Sequence, residues 1–226
     1  MQDAVEGFKE VDVHAPFQNI FDVSLVSPNP FVRELCIEEI SLAAELTGKL
    51  GGRTVTFHTG WACCGMEDEE VEKNLKEGLT LLNEVAGKHN VRLCAEVADY
   101  FMPADKFTLL EELGLEHIGI TLDTGHISFK DEAGVMYRAF GTIGGFIERF
   151  AALINHVHIH DFDGSRDHLP LGEGSIDFED IVRCLMRVGY EGALSLELNP
   201  DAASRESILK SRDILVSLIN GIQLEE

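Results

Sequence analysis

The heptapeptide HVHIHDF, residues 156–162, places a histidine at every second position of a short extended run. Side chains alternate between the two faces of a β-strand, so His156, His158 and His160 are predicted to point to the same side. An exposed strand face that tolerates polar residues is one explanation. A metal site at the end of the strand is the other, and the rest of the chain decides between them.

Composition limits the kind of protein that this chain can be. It has 226 residues, 45% of them hydrophobic, which is enough for one large core, and we predict a single domain over residues 1–226. The formal net charge of −22 opposes contact with nucleic acid or anionic membranes. No apolar stretch reaches the roughly 20 residues of a transmembrane helix, and the first residues lack a secretory signal. Five cysteines without a CxxC pair are typical of reduced thiols, so we expect a cytoplasmic protein.

Six short β-prone runs alternate with amphipathic segments. Strands are predicted at 10–15, 53–58, 91–97, 117–123, 155–161 and 193–198, and helices at about 30–48, 68–89, 104–113, 133–152, 178–188 and 202–220. Asn29-Pro30 predicts a capped helix start, and Gly189 predicts a left-handed helix end. Strict alternation of strands and helices indicates a parallel sheet covered by helices. An open doubly wound sheet and a closed barrel both have this pattern.

An ionisable residue stands at or near the carboxyl end of every predicted strand. Successive members of this set are 27 to 44 residues apart, which is close to one βα unit. The parallel strands of a barrel bring these ends to one face around one axis, whereas an open sheet spreads them apart. We therefore favour a barrel with a shared polar site over six unrelated, solvated strand ends. The set comprises His14, His58, Glu96, Asp123, His158 and Glu197.

Further polar residues lie close to this set in sequence. His126 follows Asp123 in the motif DTGH, and the loop after His158 contains Arg166, Asp167 and His168. For His156 a core position is favoured over a ligand, whereas His160 fits an edge contact and a spectator equally. Two glutamates, one aspartate and one histidine form a mostly oxygen donor set that suits Mn²⁺, Mg²⁺, Co²⁺ or Zn²⁺. The extra histidines favour zinc or more than one ion.

Together these segments resemble the xylose isomerase-like barrel superfamily, which includes sugar and sugar-phosphate isomerases and epimerases and the endonuclease IV-type DNA-repair enzymes. The matching segments are VDVHAPF, VTFHTG, LCAEV, GITLDTGHI, HVHIHDFDG, DHLPLGEGSIDF and LSLEL. The isomerase branch implies one divalent metal held by Glu96, Asp123, His158 and Glu197. It also implies substrate contacts from His126 and Arg166.

The resemblance implies a carbohydrate substrate and an isomerase or epimerase reaction through a metal-stabilised enediolate. Glu96 and Glu197, which resemble the paired carboxylates of the family, would move a proton off and onto adjacent carbons. The alternative is the endonuclease branch, which cleaves DNA at abasic sites with three zinc ions. Its additional histidines match His14, His58, His126 and His168, but it has an aspartate where this chain has Arg166. A metal-binding barrel without catalysis is a third hypothesis.

The family barrel has eight strands, and VDVHAPF resembles the third of them. The resemblance therefore implies a six-stranded TIM-type (β/α) barrel that lacks the first two βα units. Strands at about 10–15 and 193–198 would then form open edges or be covered by another chain. Because unpaired edges of parallel strands tend to associate in water, we expect a homo-oligomer.

Overall fold

The computed structural model describes residues 7–17, 23–63, 65–101, 104–128, 140–201 and 203–223, and over these residues strands alternate with helices. Strands β1 to β6 span Asp12–His14, Thr54–Phe57, Arg92–Glu96, Ile118–Asp123, Ile154–Ile159 and Leu194–Leu196. Helices α1 to α6 span Pro30–Lys49, Asp68–His89, Thr108–Leu113, Ile143–Phe150, Phe178–Arg187 and Arg205–Gln223. The chain divides into two compact units, Met1–Thr121 and Leu122–Glu226. The prediction of a single domain stays a prediction.

The first unit contains β1 to β3 and the first four residues of β4, and these strands pair in chain order and in parallel. The register sets His14 beside Thr56, and Glu96 beside Thr121. Strand β2 and nearly all of β3 are buried, as in a parallel sheet covered by helices. Helix α1 packs on α2. Among the described residues of this unit, β1 pairs on one side only, and it is partly exposed.

The predicted start of α1 is confirmed. The side chain of Asn29 accepts a hydrogen bond from the N–H of Phe31 at 3.1 Å, and Pro30 occupies the first helical turn. Such a cap satisfies one of the amides that a helix leaves unpaired at its start. Helix α2 has three acidic residues in its first turn, which its dipole favours, and Asn90 follows its last residue with φ +53°.

The second unit contains β5 and β6, which pair in parallel, and helices α4, α5 and α6. Helix α5 packs on both α4 and α6. The carboxylate of Asp177 caps α5 by accepting the N–H of Asp180 at 3.0 Å. Gly189 follows this helix with φ +72°, which confirms the predicted left-handed end.

Two predicted helices differ from the observed ones. Residues 104–107 form a 3₁₀ turn, and α3 is confined to Thr108–Leu113. The helix predicted over 133–152 is observed as Ile143–Phe150, because Gly141 has φ +78° and Thr142 caps the helix through its hydroxyl. Residues 133–139 of that prediction, and residue 202 of the last one, lie outside the described residues. Among the helices that are described, none is both long and apolar enough to cross a lipid bilayer.

Candidate metal and catalytic site

Two histidines meet one glutamate at the carboxyl ends of β1, β2 and β3. Glu96 is 2% exposed, and its Oε2 lies 3.3 Å from His14 Nε2 and 2.8 Å from His58 Nε2. Ligand atoms about 2.1 Å from an ion can be up to about 4 Å apart. Both distances to Glu96 are within this limit, and the potential ligand atoms of all three residues lie within 4.8 Å of one another.

His58 has a second carboxylate partner, Asp99, which sequence reasoning missed. Asp99 Oδ2 lies 3.1 Å from His58 Nδ1 and accepts the N–H of Gly60 at 2.9 Å. Asp99 is buried and has φ +52°, a left-handed conformation that is uncommon outside glycine. Its sequence position, three residues after Glu96, does not distinguish it from an ordinary loop aspartate.

The two carboxylates decide the charge of His58. Burial lowers the pKa of this imidazole, but the hydrogen bonds that it donates to Asp99 and Glu96 outweigh burial and raise its pKa to about 10. His58 is therefore an imidazolium at neutral pH in the metal-free protein. A cation on Glu96 Oε2 and His58 Nε2 would compete with the proton that lies between these atoms.

Phe17 forms an apolar wall beside these histidines. Its ring stacks on His58 at a centroid distance of 4.6 Å and an angle of 9°, and it lies 4.7 Å from the ring of His14. The side chain is 41% exposed. Ligand sites commonly combine a few polar groups with such aromatic surfaces.

In the second unit, two carboxylates and one imidazole converge. His158 Nδ1 lies 2.7 Å from Glu197 Oε2 and 3.9 Å from Asp123 Oδ2. Asp123 and His158 are buried, and Glu197 is partly exposed. Of the four residues that the family resemblance assigns to one ion, these three lie together in the second unit, and Glu96 belongs to the first.

Asp123 has additional partners within its unit. Its Oδ1 accepts the N–H of His126 at 2.6 Å and lies 3.6 Å from the Nδ1 of that residue. His160 Nε2 lies 2.8 Å and 3.0 Å from the two carboxylate oxygens. Burial lowers the pKa of His160, but the bond to Asp123 gives a net upward shift. The N–H of His168, however, is directed at His160 Nδ1 from 2.8 Å and opposes a second proton there.

The two other histidines predicted as metal or substrate contacts in this unit lie beside Asp123 and His160. The ring of His168 stacks on that of His160 at 4.1 Å and 7°, and it lies 5.4 Å from the ring of His126. Its Nδ1 is 3.2 Å from Asp167. Potential ligand atoms of Asp123, His126, His160 and His168 all lie within 4.8 Å of one another.

Arg166 and His156 lie in different environments. The guanidinium of Arg166 is exposed and binds Asp163 Oδ2 through Nε at 2.9 Å and Nη2 at 2.8 Å. Its predicted substrate contact stays a prediction. His156 is buried, as predicted for a core histidine, and its ring is perpendicular to that of His158 at 5.1 Å.

Asp161 organises the loop that follows β5. This residue is 1% exposed, and its carboxylate accepts four backbone N–H groups, those of Phe162, Gly172, Gly174 and Ile176. A Cβ on Gly174 would lie 2.3 Å from Asp161 Oδ1. The amides of the sequence LGEG are thus directed at the protein's own carboxylate, and they fix the loop that carries Arg166 and His168.

Comparison with known proteins agrees with this architecture. A family model described as "Xylose isomerase-like TIM barrel" matches residues 4–215. The uncharacterized protein MJ1311 of Methanocaldococcus jannaschii is 29% identical over 215 residues, which are 89% of this chain and 69% of that protein. The L-ribulose 3-epimerase of Mesorhizobium japonicum is 27% identical over 78% of this chain, but the match spans only 58% of the epimerase.

The crystal structure of a D-tagatose 3-epimerase-like protein superimposes with a TM-score of 0.82 and 25% identity, over 99% of this chain and 82% of that one. The predicted TIM-barrel-type α/β fold with six parallel strands is confirmed. Because the family model covers nearly the whole sequence, the chain belongs to the xylose isomerase-like TIM barrel family.

Proposed function

We propose that this protein is a divalent-metal-dependent isomerase or epimerase of sugars or sugar phosphates. The observation that carries the proposal is the convergence of Asp123, His158 and Glu197 within the second unit. Relatives of the chain include proteins named L-ribulose 3-epimerase and D-psicose 3-epimerase, which supports a carbohydrate substrate. By resemblance to the isomerase branch, Glu96 is the fourth ligand.

The donor atoms of the second unit fit a divalent cation. The separations of 2.7 Å and 3.9 Å from His158 Nδ1 are within reach of one ion about 2.1 Å from each atom. Carboxylate oxygens with one imidazole suit Mn²⁺, Mg²⁺, Co²⁺ or Zn²⁺. Asp123 accepts an N–H at 2.6 Å, which favours its ionised form and hence its role as a ligand.

The chain's carboxylates would carry the proton transfers. A cation held by Asp123, His158, Glu197 and, by resemblance, Glu96 would supply a Lewis acid that stabilises the negative charge of the enediolate. One of Glu96 and Glu197 would remove a proton from the carbon beside the carbonyl, and the other would return a proton. His126 and Arg166 would position substrate oxygens.

The proposal is tested with metal-depleted protein that is reloaded with each of the four cations and offered a panel of ketoses and ketose phosphates. Turnover in heavy water should introduce deuterium at the carbon beside the carbonyl. Glu197→Gln should abolish turnover and keep the fold, whereas Glu173→Gln, an exposed loop position, should behave as wild type. Wild-type turnover by Glu197→Gln would show that the assignment is wrong.

A second candidate is hydrolysis of DNA at abasic sites. It is favoured by one observation, the contact of both His14 and His58 with Glu96, since the endonuclease branch has histidines at these places. The net charge of −22 opposes binding of DNA. Metal analysis separates the candidates: one ion per chain favours the isomerase, three favour the nuclease, and none contradicts both. Bound metal without turnover of any substrate favours the non-catalytic barrel.

We also propose a cytoplasmic homo-oligomer. The thiols of Cys36, Cys63, Cys94 and Cys184 are free, as expected in a reducing compartment. Strands β1 and β6 are both partly exposed, and among the described strands each pairs with one neighbour. Light scattering of the purified protein should give a mass above 25.0 kDa, and a monomer would contradict self-association.

A further inference from the structure

We propose that His160 is a positioning residue, a neutral imidazole with its single proton on Nε2 that holds the carboxylate of Asp123. From the sequence alone, an edge contact and a spectator role fit this histidine equally. The role of His160 in catalysis rests on the proposed function, in which Asp123 is a metal ligand. Its protonation state rests only on hydrogen-bond geometry within the second unit.

The tautomer follows from the hydrogen-bond partners of the two ring nitrogens. The backbone N–H of His168 points at His160 Nδ1 from 2.8 Å, so Nδ1 must offer its lone pair. The carbonyl oxygen of Asp161 is farther from Nδ1, at 3.4 Å. The proton therefore lies on Nε2, where it faces both oxygens of Asp123 at 2.8 Å and 3.0 Å. A backbone amide can only donate, so a proton on Nδ1 would break this hydrogen bond.

The ring has little freedom to leave this position. A Cβ on Gly125 would lie 1.9 Å from His160 Cε1, so the imidazole occupies space that any other residue would fill. The hydroxyl of Thr124 accepts the N–H of His160 at 3.0 Å and donates to its carbonyl at 2.8 Å. His168, whose amide fixes Nδ1, has φ +51°, a conformation that is rare outside glycine.

This geometry removes His160 from the set of metal ligands. Both of its nitrogens are engaged, one by an amide N–H and the other by the carboxylate that it supports. The close group of Asp123, His126, His160 and His168 therefore offers an ion at most three ligands. The histidine acts through Asp123, in the way that outer partners of metal-bound carboxylates fix the ligand's direction.

Long-range proton–nitrogen NMR on the metal-free wild-type protein tests the tautomer directly. We expect one imidazole with a protonated Nε2 and an unprotonated Nδ1, and its signals should vanish from the spectrum of His160→Gln, which assigns them among the nine histidines. A doubly protonated ring, or a proton on Nδ1 alone, would overturn the proposal. This measurement needs neither substrate nor metal.

Metal affinity tests the positioning role. His160→Leu removes the donor to Asp123 and should weaken Mn²⁺ binding about 10- to 100-fold, the range typical of lost outer partners. His160→Gln keeps a side-chain N–H and should recover most of that loss, while His89→Gln on helix α2 should match wild type. Similar losses in the Leu and Gln variants, or wild-type affinity in both, would overturn the role. A wild-type protein that binds no metal refutes the proposed function, while the tautomer stays testable by NMR.

Discussion

The two units contain the same kinds of side chain in opposite arrangements. In the first, an imidazole lies between two carboxylates, with His58 2.8 Å from Glu96 and 3.1 Å from Asp99. In the second, a carboxylate lies among imidazoles, with Asp123 bound by His160 and close to His126 and His158. The first arrangement stabilises a proton, and the second stabilises an anion.

This difference predicts different responses to a cation. In the first unit the cation must displace the proton that holds His58 in its charged form, because proton and cation compete for the same nitrogen. In the second, the hydrogen bonds stabilise Asp123 as a carboxylate before any cation arrives. We infer that the second unit dominates metal affinity.

The largest effect is expected from Asp123→Asn. The substitution keeps the shape of the side chain but removes the negative charge, so Mn²⁺ affinity should fall by more than the roughly 100-fold upper range for lost outer partners. Calorimetric titration of the metal-depleted protein measures the change. The matched variant in the first unit, His58→Gln, should have a smaller effect, and a larger loss in His58→Gln would reverse the inferred order.

The next largest effect is expected from Asp161→Asn in the loop that follows β5, and it should appear as a lower free energy of unfolding. Asp161→Asn leaves an amide NH₂ where one carboxylate oxygen accepts backbone N–H groups. Hydrogen bonds to a charged group are worth about 1.5–3 kcal/mol each, so we expect a loss of about 3 kcal/mol or more in urea unfolding.

Limited proteolysis of this variant should add cleavage within residues 162–177. Asp163→Asn is the control, because the side chain of Asp163 binds only local, exposed partners. Equal stability of Asp161→Asn and the wild type would show that the loop does not depend on this carboxylate.

A smaller effect is expected in the first unit from substitutions of Asp99. Both of its described hydrogen bonds, to His58 and to the N–H of Gly60, end on Oδ2. Asp99→Asn can keep these contacts through its amide oxygen and loses only the charge. Asp99→Ala also leaves the buried N–H of Gly60 without its acceptor, which costs about 1–3 kcal/mol.

Urea unfolding of both Asp99 variants should therefore rank Asn above Ala in stability. The reverse order would show that neither the side-chain acceptor nor the left-handed backbone at φ +52° governs stability at this position. Asparagine is also among the residues that tolerate a positive φ best.

The sequence predicts the parts of the molecule that repeat. Each of the six strands was placed within a few residues, because β-branched runs, caps such as Asn29 and the left-handed Gly189 are local signals. Asp99, Asp161 and the role of His160 could not be predicted. Their importance depends on which backbone amides face them, and all of these amides except that of Phe162 come from residues 8 to 39 positions away.

The smallest effect is expected from Arg166→Gln. This substitution distinguishes the substrate contact that the family resemblance implies from a purely local role in the loop. The Arg166 side chain is 71% exposed and its ion pair with Asp163 is local, so stability should change by no more than about 0.5 kcal/mol. A substrate contact, as the family resemblance implies, would instead appear as a higher KM for a charged or polyhydroxylated substrate with unfolding unchanged. If both quantities stay at wild-type values, Arg166 serves only the loop in which it lies, and the specificity of the second unit must come from residues near Asp123.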